Sequence, residues 1–105
     1  MRKIESQMVA AIKAGKDFKL ANTEVIVCSN VTDIFLHGNL IARLGETWIE
    51  LFDGGWQTVT TKSRLNAILS TTEFSVDRVF QKKGEWFLSF DQFGTIPFFS
   101  GMRLN

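Results

Sequence analysis

The sequence predicts an α+β fold in one domain over residues 1–105: an N-terminal helix, a four-stranded antiparallel meander, a short helix, a C-terminal β-hairpin and an apolar tail. Three observations carry this. Apolar residues recur at helical spacing near the start. Short β-branched and apolar runs, separated by Gly- and Asn-containing turns, fill residues 23–52. A second helical stretch then leads into another pair of strand-like runs.

Residues 3–14 read as a helix because Ile4, Met8, Ala11 and Ile12 fall on one face, with Gly15 as the stop. Thr23–Cys28 is β-branched and apolar, and Ser29-Asn30 supplies turn chemistry. Residues 34–37 and 40–44 flank Gly38-Asn39, which suits a two-residue II′ hairpin loop. Gly45-Glu46 repeats the device before a strand at 47–52, and Asp53-Gly54-Gly55 ends it. In that last strand Trp48 and Phe52 share one face while Ile49 and Leu51 share the other. Apolar residues on both faces predict a sheet covered on both sides, by the helix, the tail or a second copy of the chain.

Residues 61–69 read as the second helix, with Leu65, Ile68 and Leu69 on one face and Thr60 or Thr61 as N-cap. Residues 76–81 and 86–90 flank Lys82-Lys83-Gly84-Glu85, a second hairpin signal. The tail carries Phe93, Ile96, Phe98, Phe99, Met102 and Leu104, and Pro97 argues against a central strand there. So apolar a tail needs cover, either its own domain or a partner held through Phe93, Phe98 and Phe99.

Composition narrows the function classes. The 105 residues are 45% hydrophobic and 22% charged, with 10 Phe and no Tyr, so a packed core is expected rather than disorder. Net charge is +1, which provides no global drive toward nucleic acid. The distribution is uneven: +3 over residues 1–19, −4 over 20–61 and +2 over 62–105. The single Cys28 excludes an intramolecular disulfide and is expected as a buried core thiol. Met1-Arg2-Lys3 is a signal-peptide-like start, but Glu5, Gln7 and Lys13 interrupt the apolar stretch that would have to follow. No apolar run approaches the ~20 residues of a membrane span. A cytoplasmic protein without membrane contact is expected.

Standard catalytic machinery is not visible. A zinc site needs several Cys and His ligands, and the chain has one of each. His37 sits beside a turn, with no activated nucleophile near it in sequence. Gly54-Gly55 lacks the strand–loop–helix setting of a phosphate loop. A Mg²⁺ site would require folding to gather Asp33, Glu46, Glu50 and Asp53. A non-enzyme without cofactor is expected.

The segment from Trp56 to Leu65 is the most informative. A helix start has unpaired N–H groups and a positive dipole end, which favour acids. This one offers Lys62, Ser63 and Arg64 behind Thr60 and Thr61, with no acid before Glu73. Cations, hydroxyls and free N–H groups there form a candidate anion site, and Trp56 adds a stacking face for a base. The alternative pairs Lys62 and Arg64 with Glu46 or Glu50 and places Trp56 in the core. Three partner classes follow: DNA or RNA at Trp56, Thr60, Thr61, Lys62 and Arg64; another protein; or a second copy of the chain in a homo-oligomer.

Leu36-His37-Gly38-Asn39-Leu40-Ile41-Ala42, followed by the stretch from Gly55-Trp56-Gln57-Thr58-Val59-Thr60-Thr61-Lys62 through Ser63-Arg64-Leu65-Asn66-Ala67-Ile68-Leu69, resembles a family of small bacteriophage proteins. The resemblance covers residues 22–69, with the Trp86 hairpin fitting more loosely. It implies a viral origin and expression in a bacterial cytoplasm, so that the protein partner would be a host protein, such as an inhibited host enzyme, or the chain a minor virion part, and it brings no catalytic or binding residues with it.

Overall fold

A computed structural model describes residues 1–74, 76–91 and 94–105. Two helices and nine strands make up the described residues, all strand pairs being antiparallel. In chain order these are α1 (Lys3–Ala14), β1 (Phe18–Leu20), β2 (Thr23–Cys28), β3 (Val31–Leu36), β4 (Asn39–Leu44), β5 (Ile49–Leu51), α2 (Val59–Leu69), β6 (Val76–Lys82), β7 (Glu85–Phe90), β8 (Gly94–Pro97) and β9 (Met102–Leu104).

The expected meander is present as β2–β3–β4–β5, and it is wider than the sequence indicated. β1 and β9 extend it to a six-stranded sheet in the order β1-β2-β3-β4-β5-β9. The C-terminal hairpin gains β8 and becomes a three-stranded sheet, β6-β7-β8. Pro97 lies on the edge strand β8, where its missing N–H costs no ladder bond.

One row of side chains defines the inner face of the large sheet. Phe18, Val25, Ile34, Ala42, Leu51 and Met102 are successive cross-strand partners. All but Phe18 are buried, and they pack with Met8 of α1 and Leu65, Ile68 and Leu69 of α2. α1 contacts β2, α2 contacts β4, and the two helices touch each other on this face.

The neighbouring row points the other way. Ile26, Asp33, Arg43, Glu50 and Arg103 are in register across β2, β3, β4, β5 and β9. Of the covers expected for the two faces, the chain itself supplies one: both helices lie on the inner face, and among the described residues none of its elements covers the outer one. Cys28, expected in the core, is exposed on it, because alternation from buried Val25 turns position 28 outward.

The broken alternation in β4 has a local cause. The β3–β4 register shifts between Ile34 and Phe35, so that Ile34 faces Ala42 while Phe35 faces Leu40. The bulge leaves Ile41 as the extra residue, and Ile41 and Ala42 both turn inward. The preceding hairpin loop is His37-Gly38 rather than Gly38-Asn39. Both residues have positive φ (51° and 76°), the I′ pattern, and Asn39 already pairs with Leu36.

α2 begins two residues earlier than expected. Its N-cap is Thr58, whose Oγ1 accepts from the Thr61 amide at 3.1 Å. On its other side α2 is fastened to β6 by Asn66. The Asn66 amide donates to the Val79 carbonyl at 3.1 Å and accepts from the Val79 N–H at 2.7 Å.

Candidate functional site

The expected anion site does not assemble. Thr60 and Thr61 lie in the first turn of α2, but Arg64 lies a turn further on and is buried at 3% exposure. Its guanidinium is consumed inside the fold. Nη1 donates to Glu5 Oε2 at 2.7 Å, Nε to Thr23 Oγ1 at 3.0 Å and Nη2 to Asn22 Oδ1 at 3.2 Å. Ser63 Oγ also donates to Glu5 Oε2, and the Arg2 amide donates to Glu5 Oε1 at 3.1 Å. Burial pushes the Glu5 carboxyl up. The hydrogen bonds from Ser63, Arg2 and Arg64, with the Arg64 charge, outweigh that and hold it below its ordinary value of 4.5. The partner of Arg64 is thus neither Glu46 nor Glu50. Lys62 Nζ donates to Gln81 Oε1 at 3.3 Å.

Trp56 is placed differently from the core position considered for it. Its side chain is 70% exposed beside a cleft of about 360 Å³ between the His37–Asn39 hairpin and the start of α2. Two features of the chain build this cleft. The β4 bulge turns Ile41 inward, and with Leu36 it makes a buried apolar floor. The turn after β5 then sets the tryptophan. The Trp56 N–H donates to the Asp53 carbonyl at 3.1 Å across Gly54 and Gly55, whose φ values are 67° and 87°. Two consecutive positive φ values favour glycine at both positions.

Polar groups rim the floor. Asp53 Oδ1 accepts from the Gly55 N–H at 2.8 Å, and Oδ2 accepts from Gln57 Nε2 at 3.4 Å. Asn39, His37 and Thr60 complete the rim. Thr61, buried at 2% exposure, donates from Oγ1 to the Trp56 carbonyl at 3.1 Å and ties the turn to the helix. Among the described residues the cleft lining contains one carboxylate and no lysine or arginine. Its volume is within the range of small-ligand sites, and its walls combine an aromatic face, an apolar floor and an anion.

The expected tail contacts divide three ways. Phe98 is buried, its ring 5.4 Å from that of Trp86 in an edge-on arrangement, so it belongs to the core and presents no surface to a partner. Phe99 is 61% exposed. Phe93 lies outside the described residues. Phe99 precedes Ser100, whose Oγ accepts from the Asp53 N–H at 3.1 Å, so the Phe99 turn adjoins the Trp56 turn. The four carboxylates considered for a metal are dispersed: Asp33 binds Arg43, Glu50 is in register with Arg43 and Arg103, Glu46 lies in the β4–β5 loop and Asp53 is in the cleft turn.

Fold and cleft together define a small α+β protein with a preformed groove at a hairpin–helix junction. The chain belongs to the Kyanoviridae Gp96 protein family, a phage protein family whose model matches residues 1–105. The match takes in the N-terminal helix and the tail as well as the 22–69 region. Searches of curated proteins and of solved structures found no match. Among the described residues no helix is long and apolar enough to cross a membrane.

Proposed function

We propose that this phage-family chain is a non-catalytic interaction protein whose Trp56 cleft receives a lysine or arginine side chain from a protein partner. The carrying observation is the composition of the cleft. An exposed indole, a buried Leu36–Ile41 floor and the Asp53 carboxylate surround a space whose lining, among the described residues, holds no lysine or arginine. A long cationic side chain meets all three: its methylenes lie on the floor, its charge on Asp53 and over the indole face. Val59, between Thr58 and Thr60 of the lining, and Phe99, next to the Ser100 that binds the Asp53 N–H, are 69% and 61% exposed, apolar groups near the cleft in the chain that suit the rest of a protein segment.

The nucleic-acid reading retains the exposed Trp56 as a stacking face. It loses Arg64, and phosphate contacts by cations normally dominate nucleic-acid affinity. One experiment separates the two readings. Capture from infected-host lysate is compared for the wild type, Trp56→Ala and Asp53→Asn, with and without nuclease, beside direct DNA and RNA binding at two salt concentrations. The expected result is capture that survives nuclease and is lost in both variants, with no nucleic-acid binding at low salt. Direct binding that weakens steeply with salt would establish the nucleic-acid reading instead.

A further inference from the structure

The outer face of the large sheet is a second surface, independent of the cleft. Its central row reads Asp33, Arg43, Glu50, Arg103 across four adjacent strands, alternating in charge. Arg43 Nε and Nη2 donate to the two Asp33 oxygens at 2.9 and 3.3 Å. The Arg103 guanidinium lies over the Trp48 ring, 4.2 Å from its centroid. The indole in turn covers Gly45, where an added Cβ would overlap the Trp48 ring. Apolar residues flank the row on both sides. Phe35 and Leu40 are cross-strand partners on one side, Cys28 and Val31 on the other, and Ile26 is 38% exposed at its end. None of these belongs to the buried core cluster.

A row of four alternating charges has a definite symmetry property. Under a two-fold axis parallel to the strands, passing between β4 and β5, the facing copy presents the row reversed. Asp33 then opposes Arg103 of the second copy, and Arg43 opposes Glu50. All four contacts are attractive. An axis along the row would set each charge on its like. Either axis leaves the strands of the two sheets nearly aligned, as in ordinary face-to-face sheet packing, so it is the charge order that selects the first, and like-residue patches meeting across a two-fold are the ordinary form of a homodimer. We propose that the chain forms a two-fold dimer through this face, with the charge row at its centre and Phe35, Leu40, Val31 and Trp48 closing around it.

Charge swaps test this, because cis and trans pairing respond differently. Sedimentation equilibrium is run at rising concentration on the wild type, on Arg43→Glu, and on the double swap Arg43→Glu/Glu50→Arg, with circular dichroism confirming the fold of each. In the proposed geometry the single change sets an acid on the second copy's Glu50 and lowers association at least tenfold. The double swap restores it, because positions 43 and 50 again oppose opposite charges between copies, although each now adjoins a like charge within its own sheet. A spin label on exposed Cys28 provides a second readout. In a mixture with isotope-labelled chains it should broaden the Met102–Leu104 amides of the other copy, since reversal carries β2 over the β9 edge. A monomer at every concentration overturns the proposal. So does a dimer indifferent to the swaps, or label broadening confined to other strands.

Discussion

Glu5 Oε2 and Arg64 Nη1 stand 2.7 Å apart inside the protein, joining the first turn of α1 to the second turn of α2 across 59 residues of sequence. Both side chains are nearly inaccessible, at 3% and 4%. Every Glu5 and Arg64 group is engaged: no buried side-chain N or O among the described residues lacks a hydrogen-bond partner. Breaking such a pair from one side leaves the other charge without compensation. Glu5→Gln should therefore cost about 3–5 kcal/mol in urea-unfolding free energy. Glu5→Leu combined with Arg64→Met should cost less than the sum of the two single changes, because neither charge remains behind.

The same pair sets a pH dependence. The folded Glu5 carboxyl lies below its ordinary value of 4.5, so the unfolded chain binds its proton first as pH falls. The stability this contributes is complete above the ordinary value and disappears as pH drops through the lowered folded one. Melting temperature measured from neutral to acidic pH should fall in that window for the wild type, and the fall should be shallower in Glu5→Gln.

Asn66 performs a backbone's role at the free edge of β6, satisfying both the N–H and the C=O of Val79. Asn66→Ala leaves both without their partner. A stability loss of about 1–3 kcal/mol is expected, the range for unsatisfied buried polar groups. Hydrogen exchange at the Val79 amide should accelerate, and the β6–β7 hairpin should open before the large sheet.

Gly54 and Gly55 should differ when each is changed to alanine. Both have positive φ, but a Cβ at Gly54 would also stand 3.2 Å from Asn39 Cβ, whereas at Gly55 it meets nothing within 4 Å. Gly55→Ala should cost about 1–2 kcal/mol, the left-handed backbone penalty alone. Gly54→Ala should cost more and should shift the Trp56 indole resonances, because the Asp53–Trp56 turn cannot close unchanged.

Short-range signals in the chain match the elements they predict. The helix at residues 3–14 agrees with α1, since its apolar spacing and its Gly15 stop are both short-range signals. The β6–β7 hairpin likewise follows from its own residues. The strands β1 and β9 were not legible. Each has three residues and exists because β2 or β5 offers it an edge. The loop at His37-Gly38 was misplaced by one residue, because a I′ turn accepts a non-glycine at its first position. The β4 bulge, which supplies the cleft floor, left only an irregular alternation as its trace.

Of the residues from Trp56 to Arg64 that stand out in the sequence, Trp56, Thr60 and Thr61 line the cleft, whereas Arg64 is buried away from it. Sequence alone determined the two helices, the strands of the meander, the β6–β7 hairpin and the presence of an unusual helix start without acids, because these depend on neighbours within a few residues. Tertiary structure decided that Arg64 turns inward to Glu5, that Trp56 stands in solvent above an acid-rimmed cleft, and that four charges on four strands line up in alternation. Each of those depends on which distant residue occupies the adjoining space, and only packing of the sheet against the two helices determines that.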